Sequence, residues 1–203
     1  MTDIDAFIGG MFGTTPIEII AAICGLLNVI LIVRRSIWNY PFGFLMVTLY
    51  AKIFYDYRLY SDAGLQVYFF VIQIFGVYWW LNGREDDGLV RSRRLSVSSY
   101  WMLIAAVLFG IFALGSIMSR YTDAALPWWD ATIACLSIAA QTLLARRYLE
   151  NWFLWIAVDV VAIGVFTAKG LLPTAALYVI FLVLSVTGLL GWLKAARQQS
   201  DNL

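Results

Sequence analysis

Seven apolar segments, each about as long as a helix that crosses a bilayer, dominate the sequence. Each has roughly 17–20 residues, which is enough for one crossing as an α-helix. They are continuously apolar rather than alternating, which favours helices over a transmembrane barrel. With 62% hydrophobic and 13% charged residues among 203, the sequence is typical of an all-α integral membrane protein. The predicted segments are 17–33, 41–57, 64–81, 100–119, 127–145, 152–168 and 174–193.

Basic residues are distributed unevenly between the loops, and this predicts an orientation. If successive loops face opposite sides, only Arg58, Arg120 and Lys169 lie on one side, and Lys52 falls within a segment. Because Lys and Arg concentrate in cytoplasmic loops, we expect the N-terminus outside and the C-terminus in the cytoplasm. The cytoplasmic set is Arg34, Arg35, Arg84, Arg91, Arg93, Arg94, Arg146, Arg147, Lys194 and Arg197.

The two halves of the chain match each other when the sequence is aligned with itself at an offset of 112 positions. About fifteen of roughly sixty-five positions are then identical without a gap, which predicts two three-helix repeats. Shared apolar composition does not explain the matches of arginine, asparagine, glycine and tryptophan. Those pairs are Arg34 with Arg146, Arg35 with Arg147, Asn39 with Asn151, Gly76 with Gly188, and Trp80 with Trp192.

An odd number of helices per repeat requires a reversing helix if the repeats are to lie parallel. The segment 100–119 supplies it, so the sequence predicts seven transmembrane helices in a 3+1+3 arrangement, with substrate near the midplane. A receptor-type bundle of seven helices, the alternative, does not predict an ungapped repeat. The expected division is an extracytoplasmic N-terminus (1–16), the first repeat (17–82), a charged loop and linker helix (83–126), the second repeat (127–195) and a cytoplasmic tail (196–203).

The sixth segment carries an ionisable residue and two indoles on one predicted face. Trp152, Trp155 and Asp159 follow i, i+3, i+7 spacing. A lipid-facing carboxylate would cost about 2.5–3.5 kcal/mol on insertion scales, and intramembrane charges usually line a pathway. The stripe is therefore a candidate binding surface. Alternatively, Trp152 is an interfacial anchor, Trp155 packs against a neighbour and Asp159 is a structural hydrogen-bonding group.

Other polar residues within the segments contact either a ligand or a neighbouring helix. Gln73 lies in the middle of the third segment, where an unpaired amide is costly. Its offset partner is Ser185, on the same predicted stripe as Tyr178. Gln141 and Asn28 have the same two interpretations, and for Asn28 the helix–helix hydrogen bond is favoured. Asn151 is a further candidate.

Three further positions have local alternatives. Asn39 and Asn151 each precede an apolar helix, where an asparagine side chain accepts hydrogen bonds from backbone N–H groups, so capping is the simpler interpretation for both. Lys52 either pairs with Asp56 at i+4 or reaches Asp159.

Several functional classes are excluded by residues that the sequence lacks. It has no histidine, the commonest general base and metal ligand. Cys24 and Cys135 lie in apolar runs and are expected to be buried thiols rather than a metal pair. No nucleotide-driven motor sequence or hydrolase motif appears, and the net charge of +1 indicates no nucleic-acid partner. We expect no cofactor, no metal site and no catalytic residue.

Four stretches resemble the bacterial nicotinamide riboside transporters of the PnuC family, also labelled nicotinamide mononucleotide transporters. They are WNYPFGF, RLYSDAGLQVYFFVIQIFGVYWW, NWFLWIAVDV and KGLLPTAALYVIFLVLSVTG, and the resemblance runs over about 17–193. It implies a 3+1+3 fold similar to the SWEET sugar transporters, often as a homotrimer in the bacterial inner membrane. It also implies facilitated diffusion of the riboside, which a cytosolic kinase then retains.

The chemistry of the candidate residues fits that substrate class. A pyridinium cation stacks on indole faces, worth up to about 2 kcal/mol when desolvated, and polar side chains can bind ribose or amide. A nucleotide would require a phosphate partner, and Lys52 is the single basic residue within the segments. Thiamine is also an aromatic cation, and family relatives carry thiamine, riboflavin or deoxynucleosides. A ligand-binding sensor and a membrane enzyme are the other hypotheses.

Overall fold

The computed structural model describes residues 3–12, 15–56, 60–83 and 91–201, and the described chain is almost entirely helical. Each of the seven apolar segments overlaps one helix, and a short additional helix precedes them. The eight helices are α1 (Asp3–Phe12), α2 (Pro16–Val33), α3 (Asn39–Asp56), α4 (Tyr60–Leu81), α5 (Val97–Tyr121), α6 (Pro127–Ala145), α7 (Asn151–Ala168) and α8 (Leu172–Asp201).

Two expectations about the ends of the chain are modified by these bounds. The expected N-terminal segment includes the helix α1, and α8 continues to Asp201 instead of ending near residue 193. Five of the described helices are long and apolar enough to cross a membrane: α2, most of α4, α5, α7 and most of α8. Arg58 and Arg84, which contributed to the predicted orientation, lie outside the described residues.

The ends of the helices are determined by local sequence. At the start of α2, Thr15 and Glu18 form a reciprocal capping box, and Pro16 occupies the first helical turn. Ser96 caps α5 by accepting a hydrogen bond from the backbone N–H of Ser99. Pro127 occupies the first helical turn of α6, as Pro16 does in α2.

The turns that end α2 and α6 have the same unusual backbone. Arg35 (φ 56°) and Arg147 (φ 66°) adopt the left-handed conformation, which favours glycine. In α6, the N–H of Arg147 donates to the carbonyl of Leu144, and the N–H of Tyr148 donates to that of Leu143. This is the Schellman pattern that satisfies the last carbonyls of a helix. Arg35 stands at the equivalent position of the earlier turn.

The helices pack as two consecutive groups that contact each other in two places. Within the groups, α3 packs on α2 and α4, and α7 packs on α6 and α8. Between them, α4 contacts α6 and α2 contacts α8. The α5 helix packs on α6, and α1 packs on α8 and α2. The buried aromatic core therefore lies where α2, α4, α6 and α8 meet, against the first turns of α3 and α7.

Candidate functional site

Two buried tryptophans join the two groups of helices. The indole Nε1 of Trp80 donates to the carbonyl of Leu144 at 3.1 Å, and that of Trp192 donates to the carbonyl of Ile32 at 3.1 Å. Both indoles are fully buried, and their ring centroids are 6.1 Å apart. Donors and acceptors alike are related by the offset of 112, so the two contacts are equivalent in the two groups.

Trp152 and Tyr40 occupy equivalent positions on either side of these indoles. Trp152 lies over Gly188 and meets the ring of Trp192 edge-on at 5.7 Å, whereas Tyr40 lies over Gly76. A Cβ at either glycine would overlap the ring above it, so only glycine permits this approach. Trp152 is 2% exposed, and its Nε1 has no hydrogen-bond partner. The interfacial-anchor interpretation of Trp152 is therefore wrong.

Asp159 is buried in the helix core rather than facing outwards. It is 3% exposed, and its carboxylate accepts a 2.8 Å hydrogen bond from the hydroxyl of Ser185. One such bond leaves most of the acceptor capacity of a carboxylate unused. The bond joins α7 to α8 and places a polar group in the second group of helices.

A narrow cavity, which we call the central cavity, lies between the two groups of helices, where side chains of α2, α3, α4 and α6 meet. The cavity volume is only about 10 Å³, which is about the minimum needed to hold one water molecule. Gln73 and Gln141, two predicted site residues, therefore lie together. The lining residues are Asn28, Ile32, Asn39, Tyr40, Gln73, Gln141, Leu144 and Ala145.

The asparagines at the starts of α3 and α7 do not cap their helices as expected. The amide of Asn151 donates to the carbonyl of Tyr148 at 2.6 Å, and that of Asn39 donates to Ser36 at 2.7 Å. Both amides point back into the preceding turn because they stand at the first helical residue, after the cap position. The Oδ1 atom of Asn151 is buried without a hydrogen-bond partner, which leaves an acceptor available in the core.

The two remaining predicted site residues are placed less centrally. Trp155 is half-buried on α7, one turn after Trp152. Tyr178 stacks on Phe166 with ring centroids 5.3 Å apart, so its ring packs between α8 and α7. Neither lines the central cavity.

Two polar cavity residues, Asn39 and Tyr40, were not predicted as ligand contacts. Asn28 was expected to join helices, and its amide does donate to the carbonyl of Asn39 at 2.8 Å. Asn39 was interpreted as a cap, and Tyr40 is the residue that the offset of 112 aligns with Trp152. The alignment with Trp152 could have identified Tyr40 from the sequence, because a position equivalent to a candidate site residue is itself a candidate.

Two lysines near the ends of the membrane segments are paired with carboxylates. Lys52 binds Asp56 at 2.7 Å and not Asp159, which settles the alternatives for Lys52. Lys169 binds both carboxylate oxygens of Asp130, at 2.8 and 3.0 Å. Within the described ranges, no group of three or more His, Cys, Asp or Glu side chains is arranged to hold a metal ion.

Comparisons with known proteins are consistent across sequence and structure. Residues 15–194 match the family described as nicotinamide mononucleotide transporter. The nicotinamide riboside transporter PnuC of Escherichia coli (strain K12) is 30% identical, over 95% of this chain and 91% of that protein. The riboflavin/roseoflavin transporter RibM of Streptomyces davaonensis is 31% identical, over 90% and 87%. A crystal structure of the vitamin B3 transporter PnuC superimposes with a TM-score of 0.75 and 28% identity, covering 98% of this chain and 94% of that one.

Proposed function

The chain belongs to the nicotinamide mononucleotide transporter family, and from that premise we propose that it carries nicotinamide riboside across the membrane by facilitated diffusion. It is a multi-pass helical protein of the bacterial inner membrane, and its relatives are transporters rather than enzymes. The observation that carries the choice of substrate is the buried carboxylate of Asp159, in the same helix as Trp152 and Trp155. A buried carboxylate on the same helix as two indoles suits an aromatic cation.

Each end of the riboside has suitable partners in the proposed site. The pyridinium ring would stack on Trp155 or Trp152, near Asp159. The unused acceptor of Asn151 and the amides of Gln73 and Gln141 are available to ribose hydroxyls or the carboxamide. Tyr178 would close the site from α8. The free indole Nε1 of Trp152 adds a donor.

The riboside is preferred to its mononucleotide because none of the described residues proposed for the site is a cation that could pair with a phosphate. Lys52 is already paired with Asp56, and Lys169 with Asp130. A phosphate in a membrane interior requires Arg, Lys or a helix N-terminus as a partner. Asp159 would instead repel it.

We propose seven transmembrane helices as two parallel repeats, α2–α4 and α6–α8, joined by α5. The equivalent contacts of Trp80 and Trp192, and of Tyr40 and Trp152, support this SWEET-like 3+1+3 arrangement. The division at 1–16, 17–82, 83–126, 127–195 and 196–203 follows from it. Transport in such folds proceeds by rocking of one repeat against the other around a midplane site. The central cavity is too small for a riboside, so the two groups of helices must move apart to admit one.

The orientation, assembly and cellular partner complete the proposal. The asymmetry of basic residues supports an orientation with the N-terminus outside and the C-terminus in the cytoplasm. The family resemblance indicates a homotrimer and retention of the riboside by a cytosolic kinase. The alternative is transport of thiamine or of another vitamin or nucleoside on the same fold, and the similarity to the riboflavin/roseoflavin transporter RibM supports riboflavin among these.

Uptake into proteoliposomes tests the function directly. Vesicles containing only buffer should fill with labelled nicotinamide riboside until the inside and outside concentrations are equal. Unlabelled riboside should compete better than its mononucleotide, thiamine or riboflavin. Accumulation above the outside concentration would contradict facilitated diffusion, and absence of uptake with intact binding would favour a sensor.

A further inference from the structure

Three arginines converge on one open cavity at the end of the protein where α6 ends and α7 begins. The cavity is lined by Trp79, Arg93, Arg146, Arg147 and Tyr148, which we call the arginine pocket, and its volume is about 290 Å³. It shares no lining residue with the central cavity. In the orientation proposed above, it opens towards the cytoplasm.

Backbone hydrogen bonds hold the parts of the arginine pocket together. The N–H of Arg93 donates to the carbonyl of Arg147 at 2.8 Å, and the N–H of Leu149 donates to the carbonyl of Arg93 at 2.9 Å. These bonds join the segment before α5 to the turn between α6 and α7, as a short parallel bridge. The backbones of Arg93 and Arg147 are therefore held next to each other, whatever conformations their side chains adopt.

Aromatic rings orient two of the guanidinium groups. Arg93 lies over the ring of Tyr148 and Arg146 over that of Trp79, each at 5.2 Å from the centroid. A guanidinium stacked on a ring retains N–H donors at its edge. The third, Arg147, donates from Nη1 to the carbonyl of Arg91 at 3.5 Å, while its Nε is buried without a partner.

The positive charge of the arginine pocket is not balanced by the described acidic residues. The ion pairs found among these residues join Lys52 to Asp56 and Lys169 to Asp130. Glu150, the nearest acid along the chain, accepts a hydrogen bond from the backbone N–H of Leu95 at 3.2 Å. Burial, and then the charge of Arg93, lower the pKa of Arg147, although Tyr40 acts in the opposite direction. An anion in the pocket would relieve this repulsion.

We propose that the arginine pocket binds a phosphate group, carried either by a soluble phosphomonoester or by an anionic phospholipid. Guanidinium groups present paired N–H donors that match phosphate oxygens, and converging ones match a dianion best. Basic pockets between transmembrane helices also bind lipid headgroups. The side-chain amide of Asn151 donates to the backbone carbonyl of Tyr148. A ligand in the arginine pocket would therefore contact the turn that positions the start of α7.

Binding of two probes to the purified full-length protein distinguishes the sources of phosphate. In a maltoside detergent, which carries no phosphate, ribose 5-phosphate is titrated by calorimetry, with ribose as the uncharged control. In a second arm, retention of phosphatidylglycerol is compared with that of phosphatidylcholine by mass spectrometry. Ribose 5-phosphate binding assigns the pocket to a soluble ligand, and selective phosphatidylglycerol retention assigns it to lipid. Failure of both probes would overturn the proposal.

Matched variants separate the pocket from general surface charge. Arg146→Gln and Arg93→Gln should each lower the affinity for the probe that binds by about tenfold or more, because each removes hydrogen bonds to a charged group. Arg34→Gln, at the exposed offset equivalent of Arg146, should have no effect because Ser36 and Gly191 replace the aromatic rings there. An equal loss in Arg34→Gln would overturn the proposal.

A conservative variant protects the test against misfolding. Each variant must retain its helical circular dichroism and its binding of nicotinamide riboside. If Arg146→Gln fails this requirement, Arg146→Lys takes its place, since it preserves the charge but not the paired donors. Arg146→Lys should still lower the affinity for the probe severalfold. Binding as tight as in the original protein would contradict the proposed geometry.

Discussion

The hydroxyl of Ser185 donates a 2.8 Å hydrogen bond to the carboxylate of Asp159, within the buried core between α8 and α7. The equivalent positions of the other half are Gln73 and Val47, so the two halves present different chemistry at the same level. At this level one half carries a carboxylate and a hydroxyl, and the other carries the amide of Gln73 beside the central cavity. This asymmetry suits a ligand with a cationic ring and a hydroxyl-rich sugar.

Replacement of Asp159 by asparagine tests its role as a counter-charge. Asp159→Asn preserves the size and can keep a hydrogen bond with Ser185. If the carboxylate balances the pyridinium, affinity for nicotinamide riboside should fall by about tenfold or more, with little change for the reduced, uncharged riboside. Calorimetry with both ligands measures the difference. An equal loss for both would show that Asp159 has a structural role.

Truncation of Trp155 tests stacking against the substrate. Trp155→Ala should cost on the order of 1–2 kcal/mol, or about tenfold in affinity, and Trp155→Phe should cost less because a ring face remains. Trp101→Ala, on an exposed face of α5, is the control and should bind normally. Undiminished affinity in folded Trp155→Ala protein would place the site elsewhere.

The close approach of Trp152 to Gly188 predicts a strong effect of a single methyl group. A Cβ at position 188 overlaps the indole, so Gly188→Ala should destabilise the protein by about 1–3 kcal/mol. Gly164 has no atom within 4 Å of an added Cβ. Gly164→Ala in α7 should therefore be neutral or slightly stabilising. Thermal unfolding in detergent compares the two variants, and equal melting temperatures would refute the close packing of Trp152 on Gly188.

The paired indole hydrogen bonds predict equal effects in the two halves. Trp192→Phe and Trp80→Phe each remove one buried hydrogen bond to a carbonyl and should each cost about 1–3 kcal/mol. Trp101→Phe, at an exposed position, should cost little. Chemical or thermal unfolding measures these losses. A large loss in one half only would argue against the equivalence of the repeats.

The orientation can be tested with a reporter at each terminus. Alkaline phosphatase folds outside the cytoplasm, so its fusion to the C-terminus should be inactive, because the C-terminal side carries the excess of basic residues. Fluorescence from a C-terminal green fluorescent protein provides the complementary readout. An active phosphatase fusion would reverse the proposed topology.

The sequence alone determined that the protein is helical and roughly where its apolar helices lie. A continuous apolar run in a bilayer must satisfy its backbone internally, so segments such as 152–168 had to be helical. The offset of 112 also predicted that Trp80 would correspond to Trp192, and their contacts do correspond. The additional helix α1 was not predicted because 3–12 contains no long apolar run.

Only the tertiary structure decided which polar groups meet. Periodicity placed Asp159 on one face of a helix, but its partner Ser185 lies 26 residues away on another helix. The sequence favoured a cap for Asn151, whereas the structure directs its amide to Tyr148 and leaves an acceptor free. The arginine pocket likewise requires Arg93 to reach Arg147 through a backbone bridge. A local pattern specifies the face of a helix, but helix packing and side-chain rotamers decide what that face contacts.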